Sequence, residues 1–148
     1  MAKHALLSAL DLNSQMFKLV IKDISNGESL QSPGNNMNSI NWICGHITYM
    51  RTKMFRQLNK PFELDKAYES YYASGTHPSP SKSEDLEDIV ELYHSSSKEL
   101  SEELQSSISA GNLSEEAASA INNYLIHEAY HIGQVGLLRR YLGKEGAR

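Results

Sequence analysis

The sequence predicts an all-α protein, a four-helix bundle with a long connection between its second and third helices. Two observations predict it. Apolar residues recur at three- and four-residue spacing through four separate segments, and no stretch of useful length alternates apolar and polar residues as a half-buried strand would. Four such helices in 148 residues make one domain, 1–148, with a core of ordinary size.

The first helix is predicted over about 4–25, where Leu6, Leu10, Phe17, Val20 and Ile24 keep helical spacing. Asn26-Gly27 and Pro33-Gly34-Asn35-Asn36 are turn chemistry and end it. Asn38 is the expected N-cap of a second helix over about 39–58, carrying Ile40, Trp42, Ile43, Ile47, Met50, Met54 and Leu58, with Pro61 as its stop. The stretch to about residue 80 holds Pro61, Gly75, Pro78 and Pro80, and Phe62, Tyr68, Tyr71 and Tyr72 without periodicity. Its length allows a crossover instead of a hairpin, and its tyrosines are expected to pack over one end of the bundle, near the candidate site. Ser81-Lys82-Ser83-Glu84 fits a capping box, so the third helix is predicted over about 82–108. After Gly111-Asn112, Ser114 caps a fourth helix running to about 142, with Glu115 and Glu116 at its positive end and Arg139 and Arg140 near its negative end.

Composition excludes several function classes. A net charge of −4, from 14 basic and 18 acidic residues spread along the chain, leaves no footprint for a phosphate backbone, so no nucleic-acid partner is expected. No window approaches the roughly 20 apolar residues of a membrane span, and the N-terminal apolar stretch stops at Asp11, short of a signal peptide. The lone Cys44 permits no internal disulfide and no Cys-rich zinc site. A cytoplasmic protein without membrane partners is the expectation.

His127 and His131 stand four residues apart on a predicted helix, one turn apart on the same face, where both can reach one metal ion. The helical wheel puts them in a stripe with Ala120, Tyr124, Gln134 and Leu138. On the second helix His46 keeps company with Trp42, Ile43, Tyr49 and Met50, which makes it inward-facing. Three neutral imidazoles in one interior would each need a hydrogen-bond partner, whereas a divalent cation takes all three lone pairs at once. Three protein ligands with an open position is the catalytic pattern for zinc. Gln134, one turn beyond His131, is expected to hydrogen-bond a ligand at the open position.

His127-Glu128-Ala129-Tyr130-His131 also spells the zinc-peptidase string H-E-x-x-H. Glu128 projects about 100° from His127, however, and suits an ion pair or a supporting contact better. Helix-interior Gly45, Gly133 and Gly136 mark either close helix approach or simple tolerance. Cys44 reads as a small buried hydrophobe, and His4, His77 and His94 as exposed.

Two stretches, 38–46 around His46 and 127–143 with His127, His131, Gly133-Gln134 and Leu137-Leu138-Arg139-Arg140-Tyr141-Leu142-Gly143, resemble the DinB/YfiT-like family of metalloenzymes. The resemblance covers the second and fourth helices. It implies a four-helix bundle, often dimeric, with one divalent metal ion (zinc, nickel or iron) held by His46, His127 and His131. Some relatives transfer low-molecular-weight thiols, so the resemblance implies a small-molecule substrate and a thiol as co-substrate. Ile126, Leu137 and Tyr141 on a flank of the last helix are candidate residues of a homodimer face. Three functions stay open: a metal-dependent thiol S-transferase, a non-catalytic metal-binding or stress-associated protein, and a metal-dependent hydrolase.

Overall fold

The computed structural model describes residues 2–147, and every regular element among them is helical. In chain order these are α1 (Ala2–Val20), α2 (Asn26–Ser29), α3 (Ile40–Gln57), α4 (Lys66–Tyr72), α5 (Leu86–Ser109) and α6 (Glu115–Tyr141). The four long helices match the four periodic segments. The two short ones, of 4 and 7 residues, fall in stretches too brief to show a period. None of the described helices is long and apolar enough to cross a membrane.

Helix ends follow local hydrogen-bonding chemistry, and three differ from expectation. α1 stops at Val20 because Asp23 turns into a positive-φ conformation (59°) and the guanidinium of Arg139 takes the carbonyls of Val20 and Lys22. Ser39, one residue after the expected Asn38, caps α3 by accepting from the Trp42 N–H at 3.2 Å. α5 starts at Leu86, capped by Asp85, and not near 82. The N–H of Glu84 is taken by the Tyr72 hydroxyl and its carbonyl by Asn41 Nδ2, so this segment is tied to α3 and α4 and cannot wind into a helix. A capping box does form, but at Ser25 and Glu28. Ser114 caps α6 as expected.

α1 packs against α5 and α6, and α3 against the same two helices. Their apolar stripes build two core clusters. One joins Phe17 and Val20 to Ile43, Ile47, Ile89, Tyr93, Ile132 and Val135. The other joins Leu6 and Leu10 to Met54, Phe55, Leu100, Leu104, Ile121 and Leu125. α3 and α5 both enter at the first cluster and leave at the second, so they run parallel. The connection between them is therefore a crossover, as its length allowed. Phe62 stacks on Phe55 at 4.7 Å, while Tyr68 and Tyr72 are buried in the first cluster.

A polar layer separates the two clusters. Each long helix breaks its own core stripe once there: Asn13 in α1, Arg51 in α3, Ser96 in α5 and Glu128 in α6, all buried. Arg51 Nε donates to Glu128 Oε1 at 2.7 Å and a terminal nitrogen donates to Oε2 at 3.2 Å. The other guanidinium nitrogen donates to the Tyr93 carbonyl and the Ser96 and Ser97 hydroxyls, and Asn13 Nδ2 donates to Glu128 Oε2 at 3.0 Å. The guanidinium lies 3.7 Å over the Tyr93 ring.

Removing one member of a buried pair leaves the other charge uncompensated, a cost of about 3–5 kcal/mol. Glu128→Gln should lower the unfolding free energy by that order in urea titrations followed by circular dichroism. Arg51→Met with Glu128→Leu, which removes both charges, should recover most of the loss.

Candidate metal centre

His46 lies in the first half of α3, and His127 and His131 lie either side of the midpoint of α6, where these helices pack together. Their candidate ligand nitrogens all lie within 4.8 Å of one another, close enough to hold a metal ion. His46 is 2% exposed, His131 8%, and His127 half-buried, so the site is closed on the α3 side and opens past His127. Trp42, the only tryptophan, stacks on the His46 ring with centroids 4.7 Å apart and planes within 9°.

Hydrogen bonds settle two of the three tautomers. His46 Nδ1 lies 2.7 Å from the Tyr72 carbonyl, which can only accept, so Nδ1 carries the proton and Nε2 keeps a bare lone pair. His131 Nδ1 likewise donates to Gln134 Oε1 at 2.7 Å, leaving its Nε2 bare. That nitrogen lies 3.1 Å from His127 Nε2. With His131 Nε2 bare, the metal-free pair is joined by the His127 Nε2–H donating to it, and zinc bonds of about 2.0–2.1 Å would set ligand nitrogens at a comparable spacing once that proton left. The donor set therefore fits a divalent ion. His127 Nδ1 is buried without a hydrogen-bond partner, so His127 alone lacks an orienting contact.

Gln134 makes contacts that its stripe did not foretell. Its oxygen accepts from His131 Nδ1 and one N–H of its amide donates to the Tyr130 hydroxyl at 3.1 Å, so it orients His131 and keeps a second N–H for a ligand. Glu128 points to Arg51 and Asn13, the ion pair its direction suggested, and takes no part in the three-histidine cluster. Cys44 is fully buried, and burial pushes its thiol pKa up. His4 and His77 are exposed, but His94 is half-buried against the rings of Phe17 and Tyr93, with burial lowering its pKa. Of the three helix glycines only Gly45 marks a close approach. Gly133 has open space where a Cβ would stand, and Gly136 would make an ordinary 3.5 Å contact with Val20.

The chain matches no family model, no curated protein and no solved structure. Its functional reading therefore stands on the geometry of the histidines.

The sequence pattern gave no role to Arg51, whereas the connection's tyrosines do pack near the three histidines, with the Tyr72 carbonyl against His46. The signal for Arg51 was its place in the core stripe, four residues after Ile47 and three before Met54. Nothing in the sequence marked the Tyr72 carbonyl, a backbone atom in an aperiodic segment.

Burial holds the pKa of His46, His127 and His131 below the ordinary value near 6.5, and pushes His131 down to about 4. As pH falls the unfolded chain therefore takes up protons first. The three groups cost no stability above about pH 6.5 and destabilise the fold progressively below it, toward about 4 for His131. The neutral imidazoles that ligate a metal persist over the same interval. Half-loss of zinc in equilibrium dialysis should thus fall below pH 6.5, and not at the free-imidazole value.

Proposed function

We propose that the chain is a four-helix-bundle metalloprotein of the DinB-like kind that binds one divalent ion through His46, His127 and His131 and transfers a small-molecule thiol to an electrophile. The observation that carries the metal reading is the convergence of two bare Nε2 lone pairs, on His46 and His131, with His127 Nε2 at one partly open point. Zinc, nickel and iron all accept imidazole, and the donor set does not separate them. The bound ion supplies Lewis acidity, lowering the pKa of a thiol or water admitted beside it.

The chain's own residues account for the rest. Tyr72 and Gln134 hold two ligands in the required tautomer, Trp42 closes one face of His46, and burial keeps the imidazoles neutral. Glu128, held by Arg51, is not free to act as the base of an H-E-x-x-H peptidase, which weakens the hydrolase reading. A second reading, a non-catalytic metal site, has support in the commitment of Glu128 to other partners. A panel of thiols and electrophiles offered to the untagged, metal-loaded protein decides between them. Thiol consumption should vanish on chelation and in His46→Ala, His127→Ala and His131→Ala, and persist in His4→Ala and His77→Ala. Stoichiometric metal without turnover of any thiol would favour the second reading.

We assign the strip of Ile126, Tyr130, Leu137 and Tyr141, each 61–69% exposed on α6, to a second copy of the chain. What supports this reading is that these bulky side chains recur along one exposed helix face, with an open position at Gly133 between them. Sedimentation at micromolar concentration should show a dimer, and Leu137→Glu a monomer that keeps its metal.

A further inference from the structure

We propose that Tyr72, seated on α3 at Gly45, is the positioning residue for His46, so that metal affinity and the order of the α3–α5 connection are coupled. The inference rests on the metal reading above and extends it to residues that touch no metal.

Glycine inside a helix is disfavoured relative to alanine, and Gly45 stands well inside α3. A Cβ there would lie 2.5 Å from three ring carbons of Tyr72, a separation that real atoms do not tolerate. The ring has no room to swing away. It is 1% exposed, its hydroxyl donates to Asn41 Oδ1 at 3.0 Å, and the same oxygen accepts from the Glu84 N–H at 2.7 Å. Ring position in turn sets where the Tyr72 backbone stands, and that backbone supplies the carbonyl that accepts from His46 Nδ1 at 2.7 Å.

A second tether runs from the same connection to the same imidazole. Trp42 Nε1 donates to Thr76 Oγ1 at 3.0 Å, and the Trp42 ring lies flat on His46. One contact fixes the edge of the ring and the other its face. The remaining ligands depend on other partners: His131 on Gln134 within α6, and His127 on no Nδ1 contact at all. His46 is thus the ligand whose orientation is delegated to a distant stretch of chain. Coupling between two sites is reciprocal, so an ion that demands this His46 orientation must also favour the ordered connection.

The test is zinc titration calorimetry on the wild-type chain, Gly45→Ala, Tyr72→Ala and the double variant, with amide hydrogen exchange over residues 66–76. Gly45→Ala should weaken zinc binding by about 10- to 100-fold, the usual effect of losing an orienting contact. Once the ring is removed, in Tyr72→Ala, the same change should weaken it no further. Zinc should slow exchange across 66–76 in the wild-type chain and much less in Gly45→Ala. Wild-type affinity in Gly45→Ala, or an equal loss in both backgrounds, overturns the proposal, even where thermal stability falls. If Gly45→Ala does not fold, Thr76→Val decides: it cuts the second tether and should weaken zinc binding severalfold, and unchanged affinity there overturns the proposal. A wild-type chain that takes no zinc refutes the metal reading itself, a result distinct from any of these.

Discussion

The buried pair of Arg51 and Glu128 is the constraint on which the rest of the structure depends. Hydrophobic stripes fix which faces of the helices turn inward, but they tolerate sliding, because one apolar layer packs almost as well against the next. A guanidinium that must meet a carboxylate, two serines and a tyrosine carbonyl, while that carboxylate also accepts from Asn13, tolerates no such slip. Each long helix contributes at least one polar residue to the layer, so any change of register in α1, α3, α5 or α6 leaves a buried polar group unsatisfied. We regard specification of register, more than net stability, as the service of this pair, since buried ion pairs commonly contribute little net free energy.

The three-histidine cluster inherits its alignment from that layer. Arg51 follows His46 on α3, and Glu128 sits between His127 and His131 on α6, so the pair joins the two helices that carry the three imidazoles. Its two-point geometry fixes the relative roll and height of α3 and α6 within about a turn of the ligands. The orienting contacts then act on single rings: the Tyr72 carbonyl and Trp42 on His46, and Gln134 on His131. Helix-scale and ring-scale constraints are thus supplied by different residues.

Much of this was legible in the sequence, for a physical reason. The period of a helix turns residue number into direction, so His46, His127 and His131 could be placed on facing stripes, and the long helices bounded to within a few residues at most of their ends. What stayed hidden depends on contacts between segments distant in the chain. The start of α5 is displaced from the Ser81–Glu84 capping pattern because Asn41 and Tyr72 claim the Glu84 backbone first. His94 is covered by Phe17 from another helix, which no local pattern foretells. Gly45 was equally balanced between close approach and tolerance, and only the Tyr72 ring tips it. The layer of Asn13, Arg51, Ser96 and Glu128 is a different case, since each residue interrupts an apolar stripe at helical spacing. Four coincident interruptions were there to be read as one polar layer.

The H-E-x-x-H string shows why direction outranks spelling. On a helix, neighbouring residues diverge by about 100°, so His127 and His131 share one face while Glu128 between them looks elsewhere. In this chain that other face is the core: Glu128 keeps step with Leu125 and Ile132, both buried, and its carboxylate is 2% exposed. A glutamate in that stripe either meets a buried cation or is protonated at the expense of folding, and Arg51, itself in the core stripe of α3, is the cation. The same five letters would describe an active-site base only if a substrate cavity lay on the Glu128 side of α6, where this protein has instead packed α1 and α3. The motif thus divides its labour between two faces, two histidines for the cluster that could hold a metal and one glutamate for the architecture that holds them.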